Sequence, residues 1–158
     1  IHGDVHDPGA AMMGGVGGHA GVFSDANDLA KLMQMYLNGG TYGGVRYIKD
    51  TTLREYTKCQ FCYEGKDNRR GAGFDKPFLQ GYGGPTCDGI SQKSFGHTGF
   101  TGTMAWADPD KQIVYIFLSN RVYPNAENKK LLKMNIRTDI QQVIYDAIKN
   151  SKKEQNTN

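Results

Sequence analysis

No apolar run in this 158-residue chain approaches the roughly 18 residues that a membrane-spanning helix needs, so no such helix is expected. Charge of one sign is scarce as well: 19 Lys and Arg stand against 16 Asp and Glu, a net charge of +3. The basic pairs Arg69-Arg70, Lys129-Lys130 and Lys152-Lys153 are scattered and make no stripe, which argues against nucleic-acid binding. Glycine is abundant but has no period, which excludes a collagen-like chain. Cysteine is limited to Cys59, Cys62 and Cys87, too few for a disulfide framework. The chain starts at Ile1 without an apolar signal segment, so its first residue reads as a processing or cloning boundary.

What is present is the composition of one soluble globular domain or part of one. The 21 glycines in 158 residues are about 13%, nearly twice the usual ~7%. They gather between Gly14 and Gly44 and around residues 96–102, where a backbone turning tightly or approaching another chain segment has use for them. Ser24 is the expected N-cap of an amphipathic helix of about four turns, with Asp25 and Asp28 in its first turn and Leu29, Leu32, Met33, Tyr36 and Leu37 on its apolar face. Thr52 and Glu55 have capping-box spacing, which predicts a shorter helix through Leu53 and Tyr56. Residues 59–94 are poorly periodic, with one short strand expected around Phe78 to Tyr82. A long terminal helix is expected to pack on the sheet through Leu132, Ile136, Ile140, Val143, Ile144 and Ala147. The six methionines read as packing residues, and residues 151–158 as a disordered tail.

The segment richest in chemistry is Gly96-His97-Thr98-Gly99-Phe100-Thr101-Gly102-Thr103, which runs into Met104-Ala105-Trp106-Ala107. A strand of small residues carrying a basic side chain can bring backbone N–H groups against a reacting carbonyl. Past a turn at Asp108-Pro109-Asp110, Gln112 to Asn120 read as a fully apolar strand flanked by polar ends, so a buried hairpin is expected.

The His97-Thr98-Gly99 strand resembles the C-terminal part of the serine β-lactamase and penicillin-binding-protein-like family, where Lys-Thr-Gly or His-Thr-Gly opens the strand lining the active site. The resemblance extends to Val5-His6-Asp7-Pro8, Gly14 to Ser24, Asp28-Leu29-Ala30-Lys31 and Leu37-Asn38-Gly39-Gly40. It implies an α+β class and a partial β-lactamase/transpeptidase-like fold, a small antiparallel sheet with packed helices, with residues 1–150 as the C-terminal portion of such a domain. Members carry a nucleophilic serine in Ser-x-x-Lys. Here Ser24, Ser91, Ser94, Ser119 and Ser151 are followed at that spacing by Asn27, Ser94, His97, Val122 and Glu154. The nucleophile is therefore expected upstream of Ile1 and this chain alone to be inactive. Apolar surface left on a sheet edge or face is expected to be covered by the missing N-terminal part of the same domain or by self-association.

The resemblance implies roles residue by residue. His97 stands where the family has its active-site lysine or histidine, helping to bind a substrate carboxylate and to move protons. Thr98 would offer its hydroxyl to that carboxylate, Gly99 and Thr101 would border the substrate, and the Phe100 N–H would be one oxyanion donor. The substrate would be a β-lactam, a peptidoglycan-type peptide or an ester, with no cofactor. An exported parent, periplasmic or extracellular, would permit a disulfide. Cys59-x-x-Cys62 leaves three readings open: a disulfide plus a free thiol, three thiols, or the start of a zinc site with His2 or His6. Gly15-x-Gly17-x-x-Ala20 matches a loose dinucleotide pattern, but no strand precedes it and no acidic ribose partner follows. His19 reads as a hydrogen-bonding loop residue and Asp7 as a turn former. Tyr36-Leu37-Asn38 and Tyr123-Pro124-Asn125 match the family's Tyr-x-Asn only as chance patterns. The alternative from another class is a noncatalytic domain that holds a cell-wall peptide or a partner domain.

Overall fold

The structure, a computed structural model, describes residues 2–62, 68–78 and 84–155. Among them, five helices and two antiparallel sheets make the expected α+β class. Most of the strand expected around Phe78 to Tyr82 lies outside the described residues.

Asp7 caps α1 (Pro8–Met12), its carboxylate accepting from the Ala10 N–H at 2.8 Å, with proline in the first turn, where no N–H is needed. Asp25, not Ser24, caps α2 (Ala26–Leu37) by accepting from the Asp28 N–H. A carboxylate facing the N-terminal amides is favoured by the helix dipole as well as by the hydrogen bond. Within α2, Met33 and Met35 are buried whereas Leu32 is exposed. Gly40 ends the helix with its N–H on the Met35 carbonyl, at φ +89°, where a Cβ would strike the Ile48 carbonyl. A hairpin that the sequence did not announce follows, β1 (Thr41–Tyr42) and β2 (Val45–Arg46), turned by Gly43 and Gly44, both at positive φ. Helix α3 (Asp50–Thr57) starts before the Thr52–Glu55 pair, with Lys49 at the cap position and no side-chain cap bond. The capping-box pattern is a correct sign of a helix but falls inside it.

The main sheet runs β3 (Phe95–Thr98), β4 (Met104–Asp108), β5 (Ile113–Phe117) as an antiparallel meander. The expected hairpin is thus three strands, because a turn at Gly99 to Gly102, closed by the Gly102 N–H on the Gly99 carbonyl at 3.0 Å, separates β3 from β4. Alternation divides the side chains between two faces. On one, Phe95, Ala105, Ala107, Val114 and Ile116 meet Met33, Tyr36 and Leu37 of α2, with Phe74 edge-on to both Tyr36 and Phe95. On the other, Met104, Trp106 and Tyr115 pack with Ile90 and Phe117. Gly96 pairs with Trp106 across the ladder, and a Cβ at Gly96 would run into the indole, so the first glycine of the motif is demanded by packing. Among the described residues strand β5 is an edge, and it is only half-buried rather than a fully covered apolar strand.

One helical turn, α4 (Lys130–Lys133), ends where Asn135 adopts φ +53°, a conformation Asn tolerates. Helix α5 (Ile136–Gln155) then continues beyond the last apolar residues, carried by Lys, Glu and Gln, all good helix formers. Its inner face is not the apolar stripe read from the sequence. Gln141 and Tyr145 are buried while Ile140, Val143 and Ile144 are exposed. The inner contacts are polar: Tyr115 Oη donates to the Arg137 carbonyl at 2.9 Å, the Cys87 N–H to Gln141 Oε1 at 2.9 Å, and Tyr145 Oη to Asp108 Oδ2 at 2.8 Å. Met12, Met13 and Met134 also lie exposed, so only Met33, Met35 and Met104 act as core. Trp106 is core.

Asp108 is 1% exposed and accepts four hydrogen bonds, from the N–H groups of Ser91, Asp110 and Lys111 and from Tyr145. Asp108→Ala orphans these donors and is expected to cost about 3 kcal/mol or more, read from urea unfolding; a loss under ~1 kcal/mol contradicts this account. Lys76, 3% exposed, donates to the Thr57 and Lys93 carbonyls, and burial, aided by Arg69, lowers its pKa from 10.5 to about 8. Between those values the unfolded chain holds a proton that the folded one has released. Stability should therefore rise with pH through that window, by at most ~1.4 kcal/mol per unit. Lys76→Met should flatten the rise, and an unchanged slope in unfolding at fixed pH values would contradict the assignment.

Candidate functional site

The motif residues sit at the free end of β3. Asp75 bridges Gly96 on the outer side, with the Asp75 N–H on the Gly96 carbonyl at 2.7 Å and the reverse bond at 3.2 Å. Past that bridge the outer edge of β3 has no strand partner among the described residues. His97 is exposed and Thr98 half-buried there.

His97 is held from two sides. Its Nδ1 lies 2.6 Å from the Thr98 carbonyl, and its Nε2 lies 3.2 Å from Arg70 Nη1 and 3.9 Å from Asp75 Oδ2. Arg70 also forms an ion pair with Asp75. A carbonyl can only accept and a guanidinium can only donate. These partners therefore assign the proton of the neutral ring to Nδ1 and leave Nε2 as the acceptor, the form able to take up a proton.

Thr98 lines a cavity of about 340 Å³ together with Arg69, Asp75, Lys76 and Arg137. Three cations against one carboxylate suit an anionic group. Arg69 and Lys76 already donate to carbonyls, whereas Arg137 uses Nη1 on the Gly102 and Thr103 carbonyls, at 3.4 and 3.1 Å, and makes no other side-chain hydrogen bond to a described residue.

The turn after Thr98 is fastened at each residue. The Gly99 N–H donates to the Thr103 carbonyl at 2.8 Å, and a side chain at Gly99 would meet Thr103 Oγ1. The Thr101 carbonyl accepts from the Arg121 N–H and from Ser119 Oγ. Phe100 is 64% exposed, yet its ring lies between two partners: His6 stacks on it with centroids 5.4 Å apart, and Arg121 Cζ stands 4.6 Å from its centroid. The Phe100 N–H makes no hydrogen bond to a described residue.

His6 brings the glycine-rich segment to this turn. Its neighbour Asp7 accepts from His19 Nε2 at 2.9 Å, and the Ala10 N–H first, then His19, hold the Asp7 carboxyl below its ordinary pKa. A Cβ at Gly21, φ +111°, would strike the Gly15 carbonyl, so this loop closes on itself. Among the described residues it follows no strand. Tyr36 belongs to the core and Tyr123 is exposed.

The cysteines are one disulfide, Cys59–Cys62, and one buried thiol, Cys87. Among the described residues no cluster of His, Cys, Asp or Glu is arranged to hold a metal, and no helix is long and apolar enough to cross a membrane.

The structure thus brings His97 and Thr98 together with five residues not singled out in the sequence as site residues: Arg69, Arg70, Asp75, Lys76 and Arg137. Arg69-Arg70 was visible only as a scattered basic pair, and Arg137 lies within the apolar stripe assigned to the last helix. None carried a motif, because their proximity to the strand is purely tertiary.

Two comparisons with known proteins bear on the family of this chain. The family model described as Beta-lactamase matches residues 2–135. A Salmonella enteritidis protein named "Putative D-alanyl-D-alanine carboxypeptidase" is 38% identical over 135 residues, covering 83% of this chain and 30% of that protein. Same-named proteins of Salmonella paratyphi B and Salmonella newport are 39% identical with the same coverage. The chain therefore spans about 30% of the length of these relatives.

Long-range ¹H–¹⁵N correlation of the His97 ring at a pH where it is neutral should show the Nδ1–H tautomer, and Arg70→Leu should raise the Nε2–H population. An Nε2–H ring in the unsubstituted protein would contradict the hydrogen-bond assignment.

Proposed function

The chain belongs to the beta-lactamase family, and from this we propose that it forms one wall of an acyl-serine hydrolase site that accepts a peptide ending in D-alanyl-D-alanine. The observation that carries the reading is the placement of Thr98, on the unpaired edge of β3, in the same cavity as Arg69, Lys76 and Arg137. A peptide ends in a carboxylate and has a backbone that can lie along a free strand edge. The cations supply the field for the first, and β3 offers the second. The names of the relatives from Salmonella point to the same substrate class.

In this reading the Thr98 hydroxyl and the free donors of Arg137 hold the substrate carboxylate. His97 Nε2 takes and returns a proton as the acyl group moves. Gly99 and Thr101 border the acyl group, and the Phe100 N–H donates to the oxyanion, where removing one donor typically costs about 10²–10³ in rate. No serine here has a lysine three residues on, so the nucleophile comes from outside these 158 residues and the chain alone performs no acyl transfer. The exposed stripe of Ile140, Val143 and Ile144 and the open edge of β5 are then surfaces for the rest of the same domain. A periplasmic or extracellular location fits a peptidoglycan-type substrate and the Cys59–Cys62 disulfide.

The full-length protein, treated separately with a fluorophosphonate and a penicillin and weighed intact, should gain a single adduct on a serine outside this chain. It should release D-alanine from a D-alanyl-D-alanine peptide, with His97→Ala lowering kcat by about 10²-fold or more. A folded protein that binds the peptide but forms no adduct would be a noncatalytic binding domain, and labelling within residues 1–158 would misplace the nucleophile; either outcome overturns the proposal.

A further inference from the structure

Cys59 and Cys62 follow directly on the end of α3, where the disulfide closes a loop with a separation of three residues. Both are half-buried beside exposed Phe61. Cys62 Sγ accepts a hydrogen bond from Arg69 Nη1 at 3.0 Å, and no comparable donor reaches Cys59 among the described residues. The guanidinium is held independently of the sulfur: Nε donates to the Pro77 carbonyl at 2.8 Å and Nη2 to Gln92 Oε1 at 2.6 Å. The backbone supports it too, through the Gln60 N–H on the Arg70 carbonyl at 2.7 Å and the Lys76 N–H on the Arg69 carbonyl at 3.1 Å. Asp75, the carboxylate that shares the cavity lining with Arg69, is paired with Arg70 instead. Lys58 is paired with Glu55, and Lys76 is a second cation close enough to feel Arg69.

A fixed cation against one sulfur of a C-x-x-C pair makes the two sulfurs unequal. The sulfur beside it carries negative charge at lower cost, and in thiol–disulfide exchange the better-stabilised thiolate is the better leaving group. We propose that Cys59–Cys62 is a thiol–disulfide exchange site in which Cys59 is the sulfur attacked and Cys62 is the leaving thiolate, held by Arg69. The reaction partner is a dithiol reductant. Its first thiolate attacks Cys59 Sγ, the bond between the two protein sulfurs breaks, and its electron pair stays on Cys62. The second thiolate of the reductant then attacks its own sulfur in the mixed disulfide and expels Cys59, which takes up a proton. The protein gains two electrons and the reductant becomes a disulfide. This inference does not depend on the acyl-transfer reading. The third cysteine is no competitor, because burial pushes the Cys87 thiol up to about 12.

The test is peptide-resolved alkylation of the full-length protein after reduction with dithiothreitol, with iodoacetamide across pH 5 to 9. Cys62 should react with an apparent pKa at least about one unit below the ordinary ~8.5 of a free thiol and below that of Cys59. Arg69→Gln should slow its alkylation at pH 6.5 about tenfold, and Arg69→Lys, which keeps the charge without the planar fork, should slow it less. Cys87 left unlabelled reports that each variant is folded. In a Cys62→Ser protein, a disulfide reagent should be trapped on Cys59. The proposal fails if reduced Cys62 titrates at or above 8.5, if Cys59 is the more acidic of the two, or if a folded Arg69→Gln protein alkylates at the unsubstituted rate; the first two readings require no variant.

Discussion

The Asp108 carboxylate is where the elements of this fold are joined, and it is buried without an ion pair to any described residue. Its charge is stabilised by four donors from three places: the turn between β4 and β5, the segment at Ser91, and Tyr145 of α5. A buried carboxylate is tolerated only when donors surround it in this way. The consequence is geometric. The end of β4 cannot move without drawing α5 and the approach to β3 with it, so the strand that carries His97 and Thr98 is paired against the most firmly anchored strand of the sheet. Burial first, then the bond to Asp108, raises the Tyr145 hydroxyl above its ordinary pKa.

The turn after β3 has a different source of rigidity. Its carbonyls and its one aromatic ring are taken up by residues far apart in the chain: Arg137 on the Gly102 and Thr103 carbonyls, Arg121 and Ser119 on the Thr101 carbonyl, and His6 with Arg121 on the Phe100 ring. Among the described residues these contacts leave the Phe100 and Thr101 N–H groups without a partner. A donor whose surroundings are fixed in advance needs no reorganisation when charge develops in front of it, which is the condition under which a hydrogen bond contributes most to catalysis. The exposure of Phe100 is then no defect of packing, since its ring is a surface on which two other segments are seated.

The core strands and the main helices were legible in the sequence because period and punctuation encode them locally. Leu29 to Leu37 read correctly as a helix, the strand read over Gln112 to Asn120 forms over Ile113–Phe117, and the Gly96 to Gly99 motif pointed to an edge that has no strand partner among the described residues past the Asp75 bridge. The errors share a cause. The hairpin expected from residue 96 onward became a meander because the bond between Gly102 and Gly99 closes a turn that strand periodicity cannot show. Ser24 and Asp25 are both good caps, and only the backbone decides between them. The site was half legible: His97 and Thr98 belong to a motif, whereas Arg70 and Asp75 reach His97 only through the bridges from Arg70 to Asp75 and from Asp75 to Gly96.

Helix α5 turns the usual argument from amphipathicity around. A helix with two kinds of apolar-compatible face can bury only the one its neighbours can satisfy, and the surface offered here by Tyr115, Cys87 and Asp108 is rich in polar groups that need partners. Gln141 Oε1, the Tyr145 hydroxyl and the Arg137 carbonyl meet that need, although Gln141 Nε2 is itself buried without a partner among the described residues. Ile140, Val143 and Ile144 are left outward. Apolar residues at helical spacing that the resident core declines are a sign of a second surface rather than of a misplaced helix, and they lie on the element whose Arg137 reaches the cavity at Thr98. One helix thus carries both the uncovered apolar stripe and, through Arg137, a side chain at the cavity beside Thr98.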